Sequence, residues 1–328
     1  MIKVAIGIDI GGTSTKIGVV DQEGNILEQM AFPTWQTKNE NNYYTIIKES
    51  IEDLCDNKYD IEGVGIGAPS TNMSEGTIEN AANLPFKGIV RISKNLGTVL
   101  KKKTYLVKDS FAAAYGEITY GDAKDIDNFI FLTLGTGFGC AVFANGRPIT
   151  GVKGLAGEVA HTRVAQSELR QCGCGKDGCL ETFVSATGIK RTALSLMATH
   201  IIDSKLRGLS ADKLTAKQIY EFACEGDVLA GEVFHFTARI LGEKMADLVA
   251  TFSPQAIFIS GGLTGAKEYI LDDAIKYMNQ SLLPFYRGLI DVKFSALGIN
   301  DAAILGAASL VWKDLEKEEK ALGMLLEN

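Results

Sequence analysis

One local pattern occurs twice in this chain and constrains its fold more than any other. An apolar run ends in a glycine turn and reverses into a second apolar run, first at Ile6–Val20 and again at Ile130–Ala144. Each run has the length of a strand, and the repetition predicts two similarly built domains. Glycine-bounded apolar runs at Val4–Ile8, Ile17–Val20, Gly63–Gly67, Tyr105–Val107, Phe129–Leu134, Cys140–Ala144 and Ala256–Ile259 read as strands. Apolar residues return at three- and four-residue intervals in Tyr43–Cys55, Phe111–Tyr120, Ala186–His200, Thr215–Glu225, Val228–Thr251, Glu268–Leu283 and Ala302–Lys317, which read as helices. Strands followed by helices make an α/β protein.

A chain of 328 residues, 46% of them apolar, fills two cores more readily than one. The apolar pattern is interrupted by Gly121, Asp122 and Asp125, which sets the boundary near Tyr120–Asp125. The domains expected are 1–120 and 121–301, with the last helix, 302–328, packing back onto the first. Its charged tail, Lys313–Lys320, reads as a solvated helix face.

With 33 basic and 40 acidic residues the net charge is −7, so no basic field exists to gather phosphate backbones, and nucleic acid is excluded as the main partner. A small neutral substrate fits better. The opening MIKVAIGIDIGG is broken by Lys3 and Asp9, lacks a small-residue cleavage site and reads as a buried strand, with no room for a helix-turn-helix ahead of Val4. The uncharged segments Asn128–Gly146 and Leu248–Ala266 are interrupted by Gly135, Gly137, Gly139 and Pro254, so neither is expected to span a membrane. A cytoplasmic location is expected. Cys55, Cys140 and Cys224 stand alone, whereas Cys172, Cys174 and Cys179 fall within eight residues, a crowding that in such a chain points to metal before disulfide.

In Asp9-Ile-Gly-Gly-Thr-Ser-Thr-Lys16, Gly11 and Gly12 let the backbone turn so that its N–H groups face an anion, while Thr13 and Lys16 add a hydroxyl and a charge. Asp9, at the strand end, is suited to holding Mg2+ through water. The competing reading is a glycine-rich hairpin with a structural aspartate. A second turn, Leu134-Gly-Thr-Gly-Phe-Gly139, brings Gly135, Thr136 and Gly137, so two loops can grip the triphosphate of ATP. In Ile259-Ser-Gly-Gly262, Gly261 and Gly262 close a strand without side chains, as a flat adenine ring passing the backbone requires. The two turns and the Ser-Gly-Gly, in this order, resemble the actin-like ATPase (ribonuclease H-like) fold used by sugar kinases. That resemblance implies a nucleotide in a cleft between two domains that close.

Gly157-Glu-Val-Ala-His161 precedes Gln171-Cys-Gly-Cys-Gly-Lys-Asp-Gly-Cys-Leu-Glu181, giving three thiolates at C-x-C-x4-C spacing with a histidine upstream. Three sulfurs and one nitrogen suit a closed, tetrahedral structural Zn2+ site, against a competing reading of three free thiols. The segment resembles the signature of the ROK family, and the resemblance covers nearly the whole chain. It implies that His161 binds zinc together with Cys172, Cys174 and Cys179 and also touches the sugar. The zinc would be structural, holding Glu158, His161 and Glu181 without activating a water. It further implies that Asn83, Glu158, His161 and Glu181 bond the sugar hydroxyls. Outside the signature, Asn83 reads equally as a turn residue, Glu158 as a surface carboxylate and Glu181 as a helix-start residue.

Asp109, where a strand gives way to a helix, is the candidate catalytic base for the sugar 6-hydroxyl, with an N-cap aspartate as the competing reading. Relatives read Asn-Asp-Ala-Asn here; this chain reads Lys108-Asp109-Ser110-Phe111. Lys108 replaces a sugar-binding asparagine with a longer, charged donor that can reach a hydroxyl, prefer an anionic group, or point to solvent if the strand continues. Its charge would also favour ionised Asp109. Ser70 and Ala160 stand where relatives carry glycine and are expected to narrow the room near the sugar. The resemblance thus implies an ATP-dependent hexose 6-kinase acting on glucose, and a homodimer or homotetramer. Alternatives are N-acetylglucosamine, N-acetylmannosamine, mannose, allose or fructose as acceptor, or a catalytically silent sugar-binding regulator without a DNA-binding domain.

Overall fold

The structure is a computed structural model and describes residues 1–37, 39–81, 84–164, 168–298 and 301–326. The chain divides into two compact units, one of Met1–Asp125, Pro148–Ala156 and Ser295–Asn328, the other of Ile126–Arg147 and Gly157–Phe294. The elements run β1 (Ile2–Ile10), β2 (Ser14–Val20), β3 (Ile26–Pro33), α1 (Glu40–Cys55), β4 (Tyr59–Ala68), β5 (Thr71–Asn72), β6 (Thr77–Glu79), β7 (Ile89–Val90), α2 (Ile92–Leu100), β8 (Thr104–Lys108) and α3 (Asp109–Tyr120). They continue with β9 (Phe129–Leu134), β10 (Phe138–Ala144), β11 (Arg147–Pro148), α4 (Glu181–Val184), α5 (Ala186–Thr199), α6 (Ala216–Cys224), α7 (Val228–Phe252), β12 (Ala256–Ser260), α8 (Lys267–Ser281), β13 (Asp291–Phe294) and α9 (Ala302–Leu326).

The first unit is built on a five-stranded sheet of order β3-β2-β1-β4-β8. β1 pairs antiparallel with β2 across the glycine turn and parallel with β4, so both its edges are paired, and helices cover both its faces. Its residues accordingly form a continuous apolar run, Val4, Ala5, Ile6, Ile8 and Ile10 being at most 1% exposed. On one face α1 and α2 bury Tyr43, Ile47, Ile51 and Leu96 against Ile6, Ile8, Ile17 and Ile66. On the other, Ile304, Ala308, Val311 and Trp312 of α9 pack on Ala5 and Val20. That approach is close because the strands offer no side chain at Gly7 and Gly65, where a Cβ would strike the α9 backbone at Ile304 and Ala307. The segment 148–156 rests on β5, with Met73 N donating to Lys153 O at 3.2 Å.

The second unit carries a sheet of order β11-β10-β9-β12-β13, with β9 antiparallel to β10 and parallel to β12. Phe129 stacks on Phe143 at 4.7 Å and meets Phe258 edge-on, knitting its three central strands. α7 starts at Asp227, whose side chain accepts from Ala230 N, and ends at left-handed Ser253. Among the described residues no helix is long and apolar enough to cross a membrane.

Every strand and helix expected from periodicity forms. Among the strands and α-helices, those not expected are β3, the small sheet β5-β6-β7, α2, β11, α4 and β13. β3 and β13 are sheet-edge strands whose mixed polar and apolar residues carry no buried run. The charged tail of α9 is solvated at Glu316, Lys317 and Glu318, as expected, but half-buried at its start. Lys313 sits 4.6 Å from the Tyr115 ring, and burial lowers its pKa to about 8. Lys103 donates to Asp314 at 2.7 Å and to Glu318 at 2.6 Å, tying the tail to the start of β8.

Candidate active site

In the first unit the register of β1 on β2 sets Asp9 opposite Lys16, with the glycine turn between them. Gly11 N donates to Ser14 O at 3.0 Å, closing the turn. Behind it lies a buried hydroxyl network that sequence reasoning missed. Thr34 Oγ1 donates to Gly11 O at 2.7 Å, and Thr34 N donates to Thr13 O at 3.1 Å. Thr15 Oγ1 links Thr34 Oγ1 at 2.9 Å to the Tyr43 hydroxyl at 2.8 Å. Thr15, Thr34 and Tyr43 are all 0% exposed, so this network fixes the turn where water cannot compete. The available signal was three hydroxyls on otherwise apolar faces.

Asp109 is the first residue of α3, and Lys108 occupies the cap position, so the N-cap reading of Asp109 does not hold. Its carboxylate accepts from Ser110 N at 2.7 Å. The pKa of Asp9 is pushed up to about 6 by burial first, by the negative charge of Asp109 second, with Lys16 pulling the other way. The fold therefore sets two carboxylates that lie one hundred residues apart in sequence near enough for the charge of Asp109 to act on Asp9.

Lys108 is 8% exposed, so it does not reach solvent as one expectation allowed. Phe111 is 0% exposed and belongs to the core. Ser70 is exposed and adopts φ 51°, so a glycine there serves the left-handed backbone rather than side-chain room. Asn83 lies outside the described residues.

In the second unit, Gly135 N donates to Gly137 O at 3.0 Å to close the second turn. Glu181, the first residue of α4, accepts from Phe138 N through Oε2 at 3.1 Å. A Cβ on Gly137 would fall 2.7 Å from that oxygen, so a side chain there would displace the carboxylate. Gly261, at φ 104°, is needed because a Cβ would strike the backbone of Leu134, whereas Gly262 faces open space. Of the two glycines read as room for adenine, the first is therefore demanded by the fold itself.

The ligand atoms of His161, Cys172, Cys174 and Cys179 all lie within 4.8 Å of one another. Cys174 and Cys179 sulfurs are 3.7 Å apart, and His161 Nδ1 lies 3.6 Å from Cys172 Sγ. A tetrahedral zinc with bonds of about 2.3 Å to sulfur and about 2.0 Å to nitrogen sets S···S at about 3.8 Å and N···S at about 3.5 Å, so the donors fit that ion. Burial raises the Cys172 thiol and pushes Cys179 up to about 12, while the backbone N–H of Lys176 lowers Cys174. A cation beside the thiols would offset that burial and favour the thiolates. His161 Nε2 faces Glu158 Oε2 at 3.9 Å, so one ring nitrogen addresses the cluster and the other a carboxylate.

Gly175 and Gly178, at φ 88° and 72°, let the loop fold around the cluster. Arg170 fastens it. Buried to 5% exposure, it donates through Nη1 to Thr182 O and Thr192 Oγ1, both at 3.0 Å, and stacks 4.3 Å from Phe183. No sequence signal marked it, because its partners lie on α4 and α5.

A sheet with a glycine turn between its first two strands, built again around β9 and β10, is the architecture of the actin-like ATPases. The ROK family profile matches residues 5–314, and the chain belongs to that family. It is 33% identical over 327 residues to the glucokinase of Halalkalibacterium halodurans, covering 96% of this chain and 97% of that one. It is 29% identical to the N-acetylmannosamine kinase of Escherichia fergusonii, covering 93% and 97%. Among solved structures it resembles a ROK family glucokinase from Streptomyces griseus in complex with glucose and AMPPNP, at a TM-score of 0.78 and 30% identity, covering 94% of this chain and 98% of that one.

Proposed function

We propose that the chain transfers the γ-phosphoryl group of ATP to the 6-hydroxyl of a hexose, with glucose as the first acceptor. The observation that carries the reading is the pairing of Asp9, beside one glycine turn, with Asp109, at the start of a helix in the same unit. Relatives named glucokinase at 31% to 33% identity support the acceptor.

Asp109 takes the proton of the 6-hydroxyl as that oxygen attacks the γ-phosphorus. The O–H bond breaks, the new O–P bond forms, and the bond from the γ-phosphorus to the bridging oxygen of ADP breaks. Asp9 would hold, through water, a Mg2+ that neutralises phosphate charge. Gly11, Gly12, Thr13 and Lys16 receive phosphate in one unit. Gly135, Thr136 and Gly137 do so in the other, where Gly262 leaves space for adenine beside Gly261. Asn83, Lys108, Glu158, His161 and Glu181 bond the acceptor. A zinc held by His161, Cys172, Cys174 and Cys179 would be structural: it would fix His161 and leave Nε2 toward Glu158 and the sugar. The reading extends to a cytoplasmic homodimer or homotetramer that engages neither nucleic acid nor membrane. N-acetylmannosamine is the second acceptor to consider, on relatives of that name at 29% identity.

The test is ADP release from Mg-ATP by the zinc-replete protein against neutral hexoses, N-acetylhexosamines and uronic acids, alongside Asp109→Asn. Turnover with glucose, reduced about a thousandfold in the variant while glucose still binds, is the expected result. Preference for a uronic acid would make Lys108 the selector. A sugar that binds in calorimetry yet never stimulates turnover would replace the kinase with a silent sugar sensor.

A further inference from the structure

The face of the first sheet that α1 and α2 cover is not fully closed. A hollow of about 320 Å³ lies between the second half of α1, the end of α2 and β4. Its floor is apolar: Ile51 and Val64 belong to the buried core of this unit, and Ile61 and Leu100 pack half-buried against that core. Val99, 37% exposed, also lines it. None of these side chains offers a hydrogen bond, so water held there is poorly satisfied and an apolar body displaces it favourably. The volume falls at the lower end of the range for small-ligand sites, about 300–1,000 Å³.

The rim has the opposite character. Lys48, Lys101 and Lys102, all exposed, line the same hollow against a single carboxylate, Glu52. Glu52 answers Lys48 at 3.6 Å, one turn along α1. Lys101 and Lys102 form no ion pair among the described residues, so positive charge is in local excess on a chain whose net charge is −7. Lys101 caps α2 at φ 53°, and Lys102 N donates to Gly97 O at 3.3 Å, which holds both in a defined turn after the helix. The hollow is remote from the catalytic end of the sheet. β4 and β8 run in parallel with Val64 opposite Thr104 and Ala68 opposite Lys108, so Val64 lies about 13 Å along the strands from the end that leads into Asp109.

We propose that this hollow is a binding site for a small carboxylate with an apolar body, distinct from the first glycine turn. The apolar body lies over Ile51, Ile61, Val64 and Leu100, and the carboxylate meets Lys101 and Lys102 at the rim. A nucleotide is a poorer occupant, because the floor offers no polar side chain to a base or a ribose. A neutral hydrocarbon gains nothing from the lysines. The inference stands independently of the proposed phosphoryl transfer.

The experiment is calorimetry of the full, zinc-replete chain with octanoate, 1-octanol and acetate. Octanoate is expected to bind saturably at one site, 1-octanol about fivefold more weakly for want of the charge, and acetate not at all for want of the apolar body. Lys102→Glu changes an exposed side chain outside the core. It is expected to weaken octanoate about fivefold and to leave 1-octanol unchanged. Val99→Trp narrows the hollow and is expected to weaken both probes about tenfold or more, with circular dichroism and the urea midpoint reporting whether its fold is retained. Absence of saturable octanoate binding to the wild type overturns the proposal. Equal affinity for octanoate and 1-octanol, or unchanged octanoate affinity in Lys102→Glu, overturns the role of the lysine rim. Displacement of octanoate by Mg-AMPPNP places the probe in the nucleotide's turns and overturns the separate site.

Discussion

Asp9→Asn is expected to stabilise the divalent-free protein while abolishing its turnover. In the folded chain the Asp9 carboxyl titrates near 6 against a reference of 3.8, raised by burial and then by Asp109. The native state therefore holds more protons than the unfolded state between about pH 4 and pH 6, and stability falls as pH rises through that window. Below it both states are protonated and Asp9 costs nothing; above it the charge is carried at full cost. A shift of this size corresponds to at most about 3 kcal/mol, and partial exposure with relaxation around Asp109 brings the expected figure to about 1–2 kcal/mol. Both tryptophans, Trp35 and Trp312, lie in the unit that contains Asp9, so their fluorescence follows the unfolding of that unit. Urea unfolding at pH 4.5, 5.5 and 7.5 with chelator present should show wild type losing stability across the series relative to Asp9→Asn, with the variant ahead by about 1–2 kcal/mol at pH 7.5. Turnover with Mg-ATP should fall by at least ~100-fold in the same variant, since the group proposed to hold the metal is gone. Parallel pH dependences for the two proteins would refute the reasoning, because Asp9 would then titrate alike in folded and unfolded chains.

Thr34→Val removes the hydroxyl that donates to Gly11 O and should raise the KM for Mg-ATP about tenfold with little change in the KM for glucose, whereas Thr34→Ser should restore it; steady-state kinetics separate the two. Ser70→Gly relieves a left-handed backbone at φ 51° and should stabilise by about 0.5–1 kcal/mol in urea unfolding, the strain released exceeding the entropy glycine adds to the unfolded chain. Cys174→Ser should lower bound zinc, measured by a colorimetric chelator, and weaken glucose binding at least tenfold while sparing binding of AMPPNP to the first unit's turn, because the cluster orders His161 and Glu158.

What could be read in advance were the features whose partners are close in sequence. Asp9 with Gly11 and Gly12, and Cys172, Cys174 and Cys179 with one another, lie on single short segments, so their spacing already states their chemistry. The central strands were legible because burial on both faces leaves a continuous apolar run, as in Val4–Ile8. β3 and β13 were not, because an edge strand alternates with solvent and is written like a loop. The supports of the site escaped for another reason: Thr34 reaches Gly11 across 23 positions, and Arg170 reaches Thr192 across 22. No periodicity reports a contact of that kind, and a threonine or an arginine has many bland uses. Glycines mislead in the same way, since Gly261 looks like ligand space and is in fact where the backbone of Leu134 passes. Glu181 joins both classes. The family resemblance implies a contact for the acceptor, and the hydrogen bond to Phe138 N, 43 positions away, ties Glu181 to the second glycine turn. A residue chosen for chemistry and fixed by a distant backbone group cannot be altered for one purpose without disturbing the other, so acceptor specificity in this chain should shift more readily at Lys108 than at Glu181.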